Sequence, residues 1–135
     1  MEEKINGKGE HTPPGKPIIL VDFDGVIHSY TSGWHGADNV TDPPVEGAIE
    51  WLNDMIESDV FQISIFSTRN FQEGGVGAMI EYLLDNGLTT DNLIKLTFPT
   101  EKTGAFLIID DRAMQFEGIF PTECDIMKFK PWYIK

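Results

Sequence analysis

Cysteine is almost missing from this sequence. Its one copy, Cys124, has no partner in the chain for a disulfide and none of the Cys/His company of a zinc cluster. Apolar runs are short, and none approaches the ~20 residues needed to span a bilayer. The start, Met1-Glu2-Glu3-Lys4, leads into no apolar stretch of the kind that directs export. Basic residues are scarce too: 10 Lys and Arg stand against 22 Asp and Glu, a formal net charge of -12. That surplus repels nucleic-acid backbones and anionic membranes at long range, so neither non-specific nucleic-acid binding nor a membrane partner is expected. Together these absences fit a cytoplasmic protein in a reducing compartment.

What is present suffices for one packed core, since 135 residues with 41% hydrophobic content is the size of a single domain. Residues 1–16 are polar and interrupted by Pro13-Pro14-Gly15, and read as a flexible tail ahead of one domain over 17–135. Ile18-Ile19-Leu20-Val21 is too short for a helix and β-branched enough for a strand buried on both faces. Helical spacing from Val45 through Ile49, Leu52 and Ile56, after Asp42-Pro43-Pro44, predicts a first helix. A second is expected from about Gly77, closed by Asn86-Gly87. Further strands are expected over 62–66, 93–96, 105–109 and, at the sheet edge, 125–129. Alternation of this kind predicts an α/β fold, a three-layer α/β/α sandwich around a mostly parallel, Rossmann-like five-stranded sheet.

Ligands in such sheets bind beyond the carboxyl ends of the strands. At three of those exits the chain reads Asp22-Phe23-Asp24-Gly25, Ser67-Thr68-Arg69-Asn70 and Asp110-Asp111-Arg112, with Lys102 in the loop before the last apolar run. Four carboxylates gathered at one edge repel one another unless a cation sits among them, and hard oxygen ligands favour magnesium. Asp38, Asp42 and Asp59 read as solvated loop charge.

This ordered set resembles the haloacid dehalogenase superfamily of phosphotransferases: a strand ending in Asp-x-Asp-Gly, a strand ending in Ser or Thr, a Lys, then a strand ending in Asp-Asp. The likeness covers roughly residues 18–118 and is similar to small phage and bacterial members without a separate cap domain. It implies a magnesium-dependent phosphomonoester hydrolase. Asp22 would be the nucleophile, forming an aspartyl-phosphate, and Asp24 the acid that protonates the leaving group and the base that activates water. Mg2+ would be held by Asp22, the backbone carbonyl of Asp24 and Asp110, with Asp111 coordinating directly or through water. Ser67 would bond a phosphoryl oxygen, with Thr68 a competitor for that role, and Lys102 would balance charge. Gly25 would permit a tight turn where phosphate meets backbone N–H groups.

The segment 26–44 stands where the family keeps a flap, and a second core cannot fold there, so an open site is expected. His28, Trp34 and His35 on it are equally well read as substrate contacts or as surface residues. Arg69 and Arg112 either grip a second anionic group or pair with nearby acids. The expected partner is a phosphorylated substrate, a small molecule or an exposed phosphate on a larger one, with homo-oligomerisation left open. The same nucleophile would serve a phosphotransferase or a polynucleotide-end phosphatase. A non-catalytic phosphoacceptor similar to receiver domains is the alternative of another class, against which the late position of the Asp pair speaks.

Overall fold

The computed structural model describes residues 15–134 and, of the preceding segment, only the backbone pairing of two short strands, β1 (Lys4–Ile5) and β2 (His11–Thr12). Most of the expected tail, 1–16, lies outside the described residues.

The apolar run becomes β3 (Ile18–Val21), and the next apolar run becomes β4 (Gln62–Ile65). Between them α1 (Ala48–Glu57) forms the crossover, and the third strand, β5 (Leu107–Ile109), pairs on the opposite side of β3. All pairing in this sheet is parallel, in the order β4-β3-β5. The odd-numbered residues Ile19, Val21, Ile63 and Ile65 form one face and are at most 4% exposed. Against this face pack Leu52 and Ile56 of α1, and Met79 and Leu83 of α2 (Gly75–Asp85). Phe23 and Ile27, just beyond β3, extend the same core.

Two expected strands are helices. Residues 93–96 fall in and after α3 (Thr90–Lys95), where Thr89 accepts the Asn92 backbone N–H at 3.1 Å and Asp91 and Lys95 match the helix dipole at either end. Only Thr97 reaches the sheet, as an isolated parallel bridge to Ser64. Residues 125–129 fall in and after α4 (Glu123–Met127), started by a capping box between Thr122 and Asp125. Among the described residues the sheet therefore has three strands where five were expected. Because α4 buries none of its residues, it covers no second face, and Leu107 and Ile108 of β5 stay about half exposed. A mixed α/β fold with a small parallel sheet replaces the expected three-layer sandwich.

Between Val21 and Ala48 the chain forms no helix or strand, only bridges from His28 to Asp24 and to Pro44. The flap segment is thus a loop pinned by its own residues.

Candidate active site

Parallel register decides which residues meet. Val21 lies level with Ile65 on one side and Ile109 on the other, so the three strands end together. The Asp22 N–H donates to the Ile109 carbonyl at 2.9 Å, and the Phe66 N–H to the Val21 carbonyl at 3.0 Å. One step further, Asp22 stands beside Asp110 and Asp111, with Ser67 on its other flank. Asp22, Asp24, Tyr30, Trp34, Ser67, Thr68, Asp111, Arg112 and Tyr133 line one cleft of about 360 Å³.

The carboxylates divide into two groups. Asp22, Asp110 and Asp111 each offer an oxygen within 4.8 Å of the others. Asp22 accepts its own neighbour's amide, Phe23 N–H, at 2.8 Å, which favours the anion. Burial works against the anion, as do the bond it shares with Asp111 and the negative charge of Asp110, and the Asp22 carboxyl is pushed up to about 8. Three acids with only the exposed Arg112 guanidinium near them, 4.0 Å from Asp111, are what a hard divalent cation neutralises, so the donor set fits magnesium.

Asp24 stands apart. Arg69 grips it with both arms, Nε to Oδ2 at 2.9 Å and Nη2 to Oδ1 at 3.1 Å, and His28 Nδ1 bonds Oδ1 at 2.8 Å. Burial alone would raise the Asp24 carboxyl, but the bonds from His28 and Arg69 and the guanidinium charge outweigh it and hold the group below the usual carboxylate range. Its carboxylate therefore does not join the triad, which leaves only its carbonyl for the cation. Nor does it carry a proton to donate in this arrangement.

His28 and Arg69 were candidates for substrate contact, and the structure assigns them elsewhere. His28 is 1% exposed, and its Nε2 accepts the Asp42 N–H at 3.1 Å, which fixes the ring hydrogen on Nδ1, facing Asp24. Arg69 is fully buried. Its Nη1 donates to the carbonyls of Gly36, Ala37 and Asn39 at 3.1, 2.8 and 3.1 Å. With its other arms on Asp24, Arg69 has no face left for a substrate anion. It ties the flap to the turn after β4 instead. Trp34 stacks on its guanidinium, 4.7 Å from ring centroid to Cζ, and remains half exposed at the cleft.

Ser67 caps the next turn and also faces the cleft. It is buried, lines the cleft, and its Oγ accepts the Arg69 N–H at 3.2 Å as cap of the turn Thr68–Phe71, while its own hydroxyl hydrogen is available as a donor. Thr68 is exposed at the same wall. Lys102 is not brought in: it is exposed, lies outside the cleft lining, and forms no ion pair among the described residues. The loop over 97–106 is held at its ends, by Thr97 on Ser64 and Ile65, the Pro99 carbonyl on Asn70 and the Phe106 N–H on Ile18, and none of these bonds aims Lys102 at the cleft. The cleft's cation is Arg112, which approaches Asp111 at 4.0 Å. His35 faces solvent and bonds Ser32 Oγ at 3.0 Å.

Gly25 is required, for a reason other than phosphate approach. Its φ of 84° is left-handed, and its N–H is already given to the His28 carbonyl at 2.8 Å. A Cβ there would strike the Asp111 carboxylate and come within 2.8 Å of the Tyr133 ring. Tyr30, Trp132 and Tyr133 escaped the sequence reading. Trp132 and Tyr133, more than 100 positions from the Asp-x-Asp motif, carry no local signal of the fold back onto it, and Tyr30 is one unpatterned aromatic within the flap loop.

No family model, curated protein or solved structure matches the chain.

Proposed function

We propose that this protein is a cytoplasmic, magnesium-dependent phosphomonoester hydrolase of haloacid dehalogenase type, acting through an aspartyl-phosphate on Asp22. The observation that carries the reading is the acid triad Asp22, Asp110 and Asp111 at the carboxyl ends of two neighbouring parallel strands, with Asp22 and Asp111 lining a cleft beside Ser67. Asp22, Asp110, Asp111 and the Asp24 carbonyl would hold the cation, which when bound neutralises the acids and withdraws charge from the phosphoryl group. The exposed, unpaired Cys124 fits a reducing compartment. Among the described residues, no helix is long and apolar enough to cross a membrane.

In the first half-reaction an Asp22 oxygen attacks phosphorus and the P–O bond to the leaving group breaks, the alkoxide taking a proton from solvent water. In the second, water attacks the phosphorus of the acyl phosphate and loses a proton to a base, freeing inorganic phosphate and regenerating Asp22. Asp24, held as a carboxylate, is set to accept that proton. To donate one to an alkoxide it must first leave Arg69, so substrates with good leaving groups should turn over fastest. The Ser67 hydroxyl donates to a phosphoryl oxygen, and Arg112 at the rim supplies the positive charge that Lys102 does not.

The test is hydrolysis of an aryl phosphate with magnesium and with excess chelator. Turnover should require the metal and vanish in Asp22→Asn, and quenched protein should carry phosphate on the peptide holding Asp22. Undiminished activity in chelator, or phosphate found on Ser67, would overturn the reading.

A further inference from the structure

The last turn of the described chain lies on the candidate active site without belonging to the sheet that builds it. Trp132 Nε1 donates to the Gly25 carbonyl at 2.7 Å, and the Tyr133 hydroxyl donates to Asp111 Oδ2 at 2.9 Å. Arg112 Nη2 donates to the Tyr133 oxygen at 3.3 Å. The turn is closed by the Ile134 N–H on the Pro131 carbonyl at 3.0 Å, and the Trp132 and Tyr133 rings meet edge to face, 5.8 Å between centroids. These two side chains thus bind both acid-bearing loops, the one after β3 and the one after β5. A glycine at 25 is what lets the Tyr133 ring and the Asp111 carboxylate come so close.

Asp111 has the most to gain. Its side chain is only 3% exposed, and it lies against Asp22 and Asp110 with Arg112 Nε 4.0 Å away. The β5 strand before it is three residues long and half exposed, a weak platform for a buried anion. The Tyr133 hydroxyl supplies one neutral donor to one carboxylate oxygen, which fixes the side chain and leaves the other oxygen for a cation. Outer donors of this kind set the direction of metal-binding carboxylates, and their loss typically weakens binding by about 10–100-fold.

We propose that Tyr133 is a positioning residue for the metal site, aiming Asp111 through its hydroxyl, with Trp132 holding the Gly25 end of the same clamp. The proposal rests on the magnesium-dependent reading above. The experiment is calorimetric titration of magnesium into metal-stripped wild-type and Tyr133→Phe protein, each also melted in chelator. Tyr133→Phe should bind magnesium at least about 10-fold more weakly while its melting midpoint in chelator stays that of the wild type. In an Asp111→Asn background the same substitution should change affinity by less than about twofold, the ordinary error of additivity, because the hydroxyl then has no carboxylate to aim. Equal magnesium affinity in wild-type and Tyr133→Phe protein overturns the clamp and leaves the phosphohydrolase reading standing. A similar loss in the Asp111→Asn background makes the effect a general loosening and also overturns it. Wild-type protein that binds no magnesium removes both.

Discussion

Two regions of one cleft treat their carboxylates in opposite ways. Asp24 is neutralised by the protein itself: a buried Arg69, a histidine of fixed tautomer and a flap whose three carbonyls occupy the remaining guanidinium arm. Asp22, Asp110 and Asp111 receive three neutral donors, the Phe23 amide, the Arg112 amide and the Tyr133 hydroxyl, and one exposed guanidinium, Arg112, at 4.0 Å from Asp111. A folded chain that can bury a complete ion pair at Asp24 leaves the triad in deficit a few ångströms away. Uncompensated charge is costly to bury, so the deficit points to a counter-ion that the chain does not encode.

The saturated region can be broken at its centre. Arg69→Ala strands the Asp24 carboxylate and frees three flap carbonyls, and removing one partner of a buried pair costs about 3–5 kcal/mol. A large fall in melting midpoint is expected. Arg69→Lys should recover little, because an ammonium cannot reproduce the two-armed grip. A variant melting with the wild type would show that the flap is not anchored there.

A smaller effect separates the two regions by function. Asp24→Asn keeps the side-chain volume but removes both the base and the charge facing Arg69, so it should melt lower, and turnover of an aryl phosphate by the folded variant should fall by about 100-fold. Since the first half-reaction with a good leaving group needs no acid, phosphate should accumulate on the Asp22 peptide, as read by mass spectrometry. An unphosphorylated, equally slow variant would place the role of Asp24 before phosphoryl transfer.

Smallest of these is Trp34→Ala. It removes a stacking contact of about 1 kcal/mol from the Arg69 guanidinium, a small fall in stability. If the half-exposed indole also meets substrate, KM for a large phosphomonoester should rise more than KM for a small aryl phosphate. Equal changes would confine Trp34 to bracing the flap.

How much of this was legible in the sequence follows from how local each signal is. β3 and β4 were readable because short β-branched runs, and the acids after them, are adjacent in sequence. α1 and α2 were readable from their apolar spacing. The runs at 93–96 and 125–129 were ambiguous by periodicity, and Thr89 with Asp91 and Thr122 with Asp125 were the cap signals that would have resolved them as helices. The acid triad was legible because parallel register carries strand-end residues to one edge. Arg69 was not, since its partners are backbone carbonyls of the flap, which have no residue-type signature. The clamp by Trp132 was still less so, as its hydrogen bond to Gly25 spans 107 positions. Lys102 failed for the converse reason: order along the chain matched a motif, while nothing in its loop holds the side chain at the cleft.

The deficit at the triad is tested most directly by the melting midpoint as a function of pH, in chelator and in magnesium, for wild-type and Asp22→Asn protein. With the Asp22 carboxyl pushed up to about 8 in the fold from the ordinary 3.8, the folded chain retains a proton that the unfolded chain has shed. Its contribution to stability is complete below the ordinary value and is lost as pH rises through about 8. In chelator the wild-type midpoint should therefore fall across this window relative to Asp22→Asn, which lacks the titrating group. Magnesium should restore the wild type most at the alkaline end and affect the variant least. A wild-type curve parallel to that of Asp22→Asn, with magnesium shifting neither, would contradict the account.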